Sequence, residues 1–156
     1  MSGTRAGSAE ISARDMRIAV VAARFNQAVV DGLLGGVERT LQEHGGKVLE
    51  CHWVPGAWEL PVATQWVARH TQPDAIIALG AVIRGDTAHF EYISGECATG
   101  LSRVALDHNV SVAFGVLTCD TQRQADVRSA DDEHNKGAEA ALAALEMVAL
   151  ARELET

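Results

Sequence analysis

The residues able to do chemistry gather in four short segments of this sequence. The most informative is Gly80-Ala81-Val82-Ile83-Arg84-Gly85-Asp86-Thr87-Ala88-His89-Phe90. An apolar run enters a Gly-containing loop and an amphipathic pattern follows. Backbone N–H groups at the start of that next helix make a ready anion site. His89 falls at or just inside the helix start, where an imidazole facing a crevice can shuttle protons. The same residue also reads as one of six histidines on a surface. The segment is neither a P-loop nor a G-x-G-x-x-G fingerprint.

The other three segments have similar placements. Arg24-Phe25-Asn26 puts a scarce ring at a strand-to-helix turn. Phe25 offers a stacking face to a flat heterocycle, or plugs the helix start. In Val54-Pro55-Gly56-Ala57-Trp58-Glu59-Leu60-Pro61 the Pro-Gly turn exposes the backbone that follows. Glu59 accepts hydroxyl hydrogen bonds there, or simply suits the dipole of the helix it precedes. The last segment, Asp126 to Gly137, carries Arg128 and Lys136 around an acidic run. Arg128 suits a bidentate grip on phosphate; the alternative is a solvated charged turn. Asp131–His134 lacks the spacing a metal demands.

Several classes of function are excluded. With 13 basic and 21 acidic residues the net charge is −8, which suits neither nucleic acid nor an anionic membrane. No G-x-S-x-G or H-E-x-x-H occurs. Cys51, Cys97 and Cys119 form no C-x-x-C and read as small core residues. A Cys119–His89 pair has nothing nearby that would activate the thiol. Met1–Asp15 is polar and small, with no signal-peptide core, so it is expected to be a mobile segment ahead of one domain over 16–156. No apolar run approaches a membrane span. These features point to a soluble, cytoplasmic protein with reduced cysteines.

The elements that must position these segments follow from hydrophobic period. Arg17–Ala23, Lys47–Val54, Ala75–Ile83 and Val110–Leu117 are short apolar runs that read as strands. Between them lie helical patterns. In the first, Val30, Leu33, Leu34, Val37 and Leu41 share one face, with Asn26 as the expected cap and Gly45-Gly46 as the stop. Leu60–His70, the stretch from Phe90 to Ala105, Thr121–Ser129 capped by Asp120, and the Ala-rich Asn135–Glu153 complete the set. Strands apolar on both faces and alternating with helices predict an α/β fold: a flavodoxin-like three-layer α/β/α sandwich around a central, mainly parallel four-stranded sheet. In such a sheet the ligand site lies beyond the carboxyl ends of the strands, where Arg24–Asn26, Pro55–Glu59, Arg84–His89 and Thr118–Thr121 fall.

Taken together the segments resemble the 6,7-dimethyl-8-ribityllumazine synthase family. The matching stretches are Ala23–Asn26 (ARFN), Val54–Pro61 (VPGAWELP), Ala78–Ile93 (ALGAVIRGDTAHFEYI), Phe114–Thr121 (FGVLTCDT) and Asn135–Met147 (NKGAEAALAALEM). The resemblance implies a transferase of riboflavin biosynthesis. Its reaction joins 5-amino-6-(D-ribitylamino)uracil to 3,4-dihydroxy-2-butanone 4-phosphate, with no cofactor and no metal. It further implies that Phe25 stacks on the pyrimidinedione and that Ala57, Trp58 and Glu59 line the ribityl side. Ala81, Val82 and Ile83 edge the heterocycle, Asp86 and Thr87 hold phosphate, and His89 transfers protons. Phe114, Arg128 and Lys136 are implied to come from a neighbouring subunit of a homopentamer. The resemblance permits an icosahedral shell of pentamers and admits riboflavin synthase as a partner. Trp58 stands where the family often has Phe, and Ser129–Asn135 is acidic and lacks the usual Gly. A non-catalytic flavin or lumazine carrier, or a shell-forming protein, on the same fold stays open at this level.

Overall fold

The computed structural model describes residues 10–156. Four strands and five helices alternate: β1 (Ile18–Ala23), α1 (Gln27–Glu43), β2 (Val48–Val54), α2 (Leu60–His70), β3 (Ala75–Ile83), α3 (His89–His108), β4 (Ser111–Cys119), α4 (Gln122–Ser129) and α5 (Lys136–Glu155). A single 3-10 turn, Ala57–Glu59, precedes α2. The strand order is β2-β1-β3-β4 and every pairing is parallel. The expected mainly parallel sheet is thus parallel throughout, in the flavodoxin-like order.

Alternation along β1 divides the core in two. Ile18, Val20 and Ala22 face α1, α4 and α5, where they meet Leu33, Val37, Ala125, Ala141 and Leu145. Ala19, Val21 and Ala23 face α2 and α3, against Leu60, Val67, Cys97 and Leu101. Successive side chains of a strand point to opposite faces, so an uninterrupted apolar run is what a doubly covered strand requires. With few rings available, close approach replaces bulk. A Cβ on Gly36 would overlap the Asn135 amide, and one on Gly137 would overlap the Leu33 carbonyl. These two glycines let α1 and α5 pack backbone to backbone.

The helix ends differ from expectation at two points. Asn26 is not a side-chain cap. Its backbone is left-handed (φ 62), its carbonyl accepts from Val29 and Val30, and its amide is directed elsewhere. Asp120 does not cap α4 either. Thr121 does, because Gln124 stands three residues on and closes a capping box: Thr121 Oγ1 accepts from the Gln124 N–H at 3.2 Å. The stop at Gly45-Gly46 is as expected, with Gly45 at φ 82 and the Gly46 N–H donating to the Leu41 carbonyl at 2.8 Å. Of the segment expected to be mobile, residues 1–9 lie outside the described residues. Residues 11–13 pack on the end of α1: the His44 imidazole lies 2.8 Å from the Ile11 carbonyl, and the Ala13 N–H donates to the His44 carbonyl.

Candidate active site

The strand order reverses between β1 and β3, so the crevice outside their carboxyl ends is the natural ligand position. One hydrogen bond defines its floor. The Asn26 amide donates to the Ala81 carbonyl at 2.9 Å, tying the β1–α1 turn to the end of β3. The left-handed backbone that disqualifies Asn26 as a cap is what turns its side chain across. Sequence reasoning missed this role, although an Asn at a strand-to-helix turn tolerates that conformation better than most residues.

Above this floor opens a crevice of about 800 Å³. It brings together Phe25, Ala57, Trp58, Glu59, Ala81, Val82, Ile83, Thr87 and His89. Ala57, Ala81 and Val82 are buried and form an apolar wall. The Phe25 ring is 70% exposed, so it stands free at the crevice mouth instead of plugging the helix start. Trp58 is also more than half exposed, with its face available. His89 is the first residue of α3, and its N–H donates to Thr87 Oγ1 at 3.3 Å. The Thr87 hydroxyl proton is left available to an anion. Gly85 lines the crevice; Asp86 is exposed in the same loop but does not line it.

Phe114, Arg128 and Lys136 lie elsewhere. They line a second crevice of about 320 Å³ between β4, α4 and α5, and the two crevices have no lining residue in common. Phe114 is an outward-facing residue of β4, the edge strand, and is half exposed. Arg128 sits in the last turn of α4 and spends one N–H on the Gln124 carbonyl at 3.1 Å. Lys136 opens α5 and pairs with Glu139 at 2.8 Å. Glu139 lines this crevice too, a role that sequence reasoning missed; its i,i+3 spacing from Lys136 was the available signal.

Asn135 supports this second group. It is buried, its Oδ1 accepts from the Ala138 N–H at 3.0 Å, and its amide donates to the carbonyls of Gly32 and Ala130 at 3.0 and 2.9 Å. Arg39 reaches Asp131 at 3.0 Å from the other side. The acidic turn without glycine is therefore held from within by one amide, and Arg128 and Lys136 flank it.

None of the thiols is poised for attack. Burial raises the Cys97 thiol to about 11. Burial also raises Cys51, helped by Glu38. At Cys119 burial raises the thiol against the opposing pull of Arg128. The reactive groups on offer are an imidazole, a hydroxyl, a carboxylate, backbone donors and two cations. Such groups can hold polar or anionic ligands and move protons; they supply no strong nucleophile.

Fold and crevices together define a flavodoxin-like α/β protein with an aromatic-lined crevice at the topological switch point and with Arg128 and Lys136 in a second crevice. The family model described as 6,7-dimethyl-8-ribityllumazine synthase matches residues 15–152. A relative of that name from Halorhodospira halophila (strain DSM 244 / SL1) is 50% identical over 147 residues, covering 93% of this chain and 94% of its own length. The chain belongs to the 6,7-dimethyl-8-ribityllumazine synthase family. No helix among the described residues is long and apolar enough to cross a membrane.

Proposed function

We propose that the protein condenses 5-amino-6-(D-ribitylamino)uracil with 3,4-dihydroxy-2-butanone 4-phosphate, in a site completed by two subunits. The 5-amino group attacks the ketone and an imine forms with loss of water. Phosphate leaves, and the ribityl-bearing nitrogen closes the ring with loss of a second water. Phe25 stacks on the pyrimidinedione, whose edge runs along Ala81, Val82 and Ile83. Glu59 accepts from ribityl hydroxyls beside Ala57 and Trp58. His89 carries protons between the imine, the departing phosphate and solvent. The backbone and hydroxyl donors of Gly85, Asp86 and Thr87 hold phosphate, joined by Arg128 of a neighbouring copy, while the neighbour's Phe114 and Lys136 close the pyrimidine side.

The observation that carries this reading is the split between the two crevices. One chain holds an aromatic and proton-transfer half and, apart from it, a cationic half. Expelling phosphate requires positive charge beside the leaving group. A head-to-tail contact brings one copy's cationic half to the next copy's His89. Such a heterologous contact must close into a ring or run into a filament. The family resemblance supports closure at five, and the uninterrupted spacing from Arg128 to Lys136 supports further joining of pentamers into a shell. The three unpaired thiols support a reducing, cytoplasmic setting.

The test is direct. The two substrates are mixed with and without protein, and the lumazine chromophore is followed. A rate no faster than the uncatalysed control refutes the activity. Light scattering at neutral pH decides the assembly. A fully active monomer overturns the shared site, and a lone pentamer overturns only the shell.

A further inference from the structure

Arg84 lies between Ile83 and Gly85, which both line the His89 crevice, and its cation adjoins the loop that follows. Its chemistry is nevertheless committed elsewhere. Arg84 Nε donates to Asp120 Oδ1 at 2.8 Å, and Nη1 donates to the Glu91 carboxylate. The guanidinium plane lies over the Phe90 ring, 4.4 Å from its centroid. The Arg84 backbone N–H donates to the Cys119 carbonyl at 2.8 Å. Two carboxylates more than balance one guanidinium, so a phosphate arriving here would meet net negative charge.

Two of the anchors open α3 and the third lies across from them. Phe90 lines the His89 crevice, and Glu91 lies in the first turn of α3, two residues beyond His89. Asp120 is the corner between β4 and α4. Its own N–H donates to Gln124 Oε1 at 2.7 Å, within the capping box of the helix whose last turn carries Arg128. We propose that Arg84 is a positioning residue for the phosphate-bearing substrate: it clamps the Gly85–Thr87 loop and the start of α3 to the β4–α4 corner, and it is not itself a phosphate ligand. The proposal rests on the reading of the site given above. Arg84 directly precedes that loop and its backbone N–H is already held by Cys119, so its side chain is what ties the start of α3 across to Asp120. Arg84 and both of its charged partners are substantially exposed. Exposed ion pairs contribute little to stability, so the clamp acts on geometry.

A double-mutant cycle separates the clamp from a direct ligand. Arg84→Gln, Asp120→Asn, the double variant and Arg84→Lys are compared with the wild-type oligomer. The readouts are both KM values and the dissociation constant of inorganic phosphate measured calorimetrically. Arg84→Gln is expected to raise the KM for the butanone phosphate about three- to tenfold, with kcat and the uracil KM moving less than about twofold. Asp120→Asn should reproduce most of that rise, and the double variant should be no worse than Arg84→Gln alone. Arg84→Lys should recover part of the loss, since an ammonium serves one carboxylate but cannot fork to two. Unchanged kinetics in Arg84→Gln overturns the proposal. So does a normal or lowered KM in Asp120→Asn beside a raised one in Arg84→Gln, which would make the freed guanidinium a ligand. Additive effects overturn it as well. Should the wild-type protein not turn over the two substrates, the functional reading falls, and the phosphate titration across the same cycle still decides the role of Arg84.

Discussion

Replacing Asn135 by alanine should be the most costly single polar substitution in the chain. Asn135 is 2% exposed and caps α5 through the Ala138 N–H. Losing such a cap costs about 0.5–2 kcal/mol. The amide also faces three carbonyls, those of Gly32, Ala130 and Ser129, at 3.0, 2.9 and 3.3 Å. Its two N–H groups satisfy two of them fully, and each such bond is worth about 0.5–1.5 kcal/mol net. Together these give a loss of about 3 kcal/mol. For a domain of this size that corresponds to a fall in Tm of about 6–12 °C. Thermal unfolding should be followed at one fixed protein concentration, because Tm depends on concentration wherever copies associate. Asn135→Asp is the control. It keeps the cap acceptor but places negative charge against the three carbonyls, so it should be at least as damaging. A loss below about 1 kcal/mol for Asn135→Ala, or a well-tolerated Asn135→Asp, would show that the acidic turn is not held by this amide.

Other expectations concern turnover and chemistry. His89→Ala should slow the steady-state rate about ten- to a thousandfold, the usual span of general acid–base catalysis; an unchanged rate removes His89 from proton transfer. Arg128→Ala should raise the KM for the butanone phosphate more than tenfold, in line with a lost charge-assisted bond of about 1.5–3 kcal/mol, while the uracil KM moves far less. Equal movement of both would assign Arg128 to assembly. The Cys97 thiol, raised to about 11 by burial, should resist a thiol reagent at neutral pH until the protein unfolds, whereas half-buried Cys51 reacts first. The Arg84 hydrogen bond holds the Glu91 carboxyl below its ordinary value. Its contribution is therefore present above that ordinary value and is lost as the pH falls through the depressed one. The ion pair is exposed, so the change in an acid titration of stability should be small and should shrink with added salt.

Much of the fold was legible in the sequence because the pattern was redundant. Val30, Leu33, Val37 and Leu41 repeat one helical face, and the run Ala75–Ile83 has no polar break, so each element is specified several times over. What the sequence concealed were single side chains with more than one local option. Asn26 satisfies every sequence rule for a cap, yet its left-handed backbone sends the amide to Ala81 instead. Asp120 and Thr121 are adjacent and both able to cap; only the position of Gln124 separates them. Loop position at the strand ends pointed to the lining of the first crevice, since that follows from topology; Phe114 within β4, Arg128 in the last turn of α4 and Lys136 at the start of α5 lie at no strand end. Their division between two crevices was not readable from local spacing, because Phe114 faces outward from an edge strand and Arg128 sits a full helix away from His89. The engagement of Arg84 was equally hidden. Its partners lie 7 and 36 residues away, and no local rule links an Arg to either.

The packing of α1 against α5 has a consequence for how the chain reaches this state. Gly32 and the Asn135 amide that serves its carbonyl are 103 residues apart, and Arg152 donates to the Asp15 carbonyl across 137. The inward face of the first helix is thus completed by a segment more than a hundred residues further along the chain. Until α5 docks, Leu33 and Val37 lack the Ala141 and Leu145 side chains of the same core. Long-range pairing of this kind carries a large loop-closure cost before any contact compensates it. Closure of this half of the core therefore depends on long-range docking of α5, and until it docks the chain carries an open apolar seam.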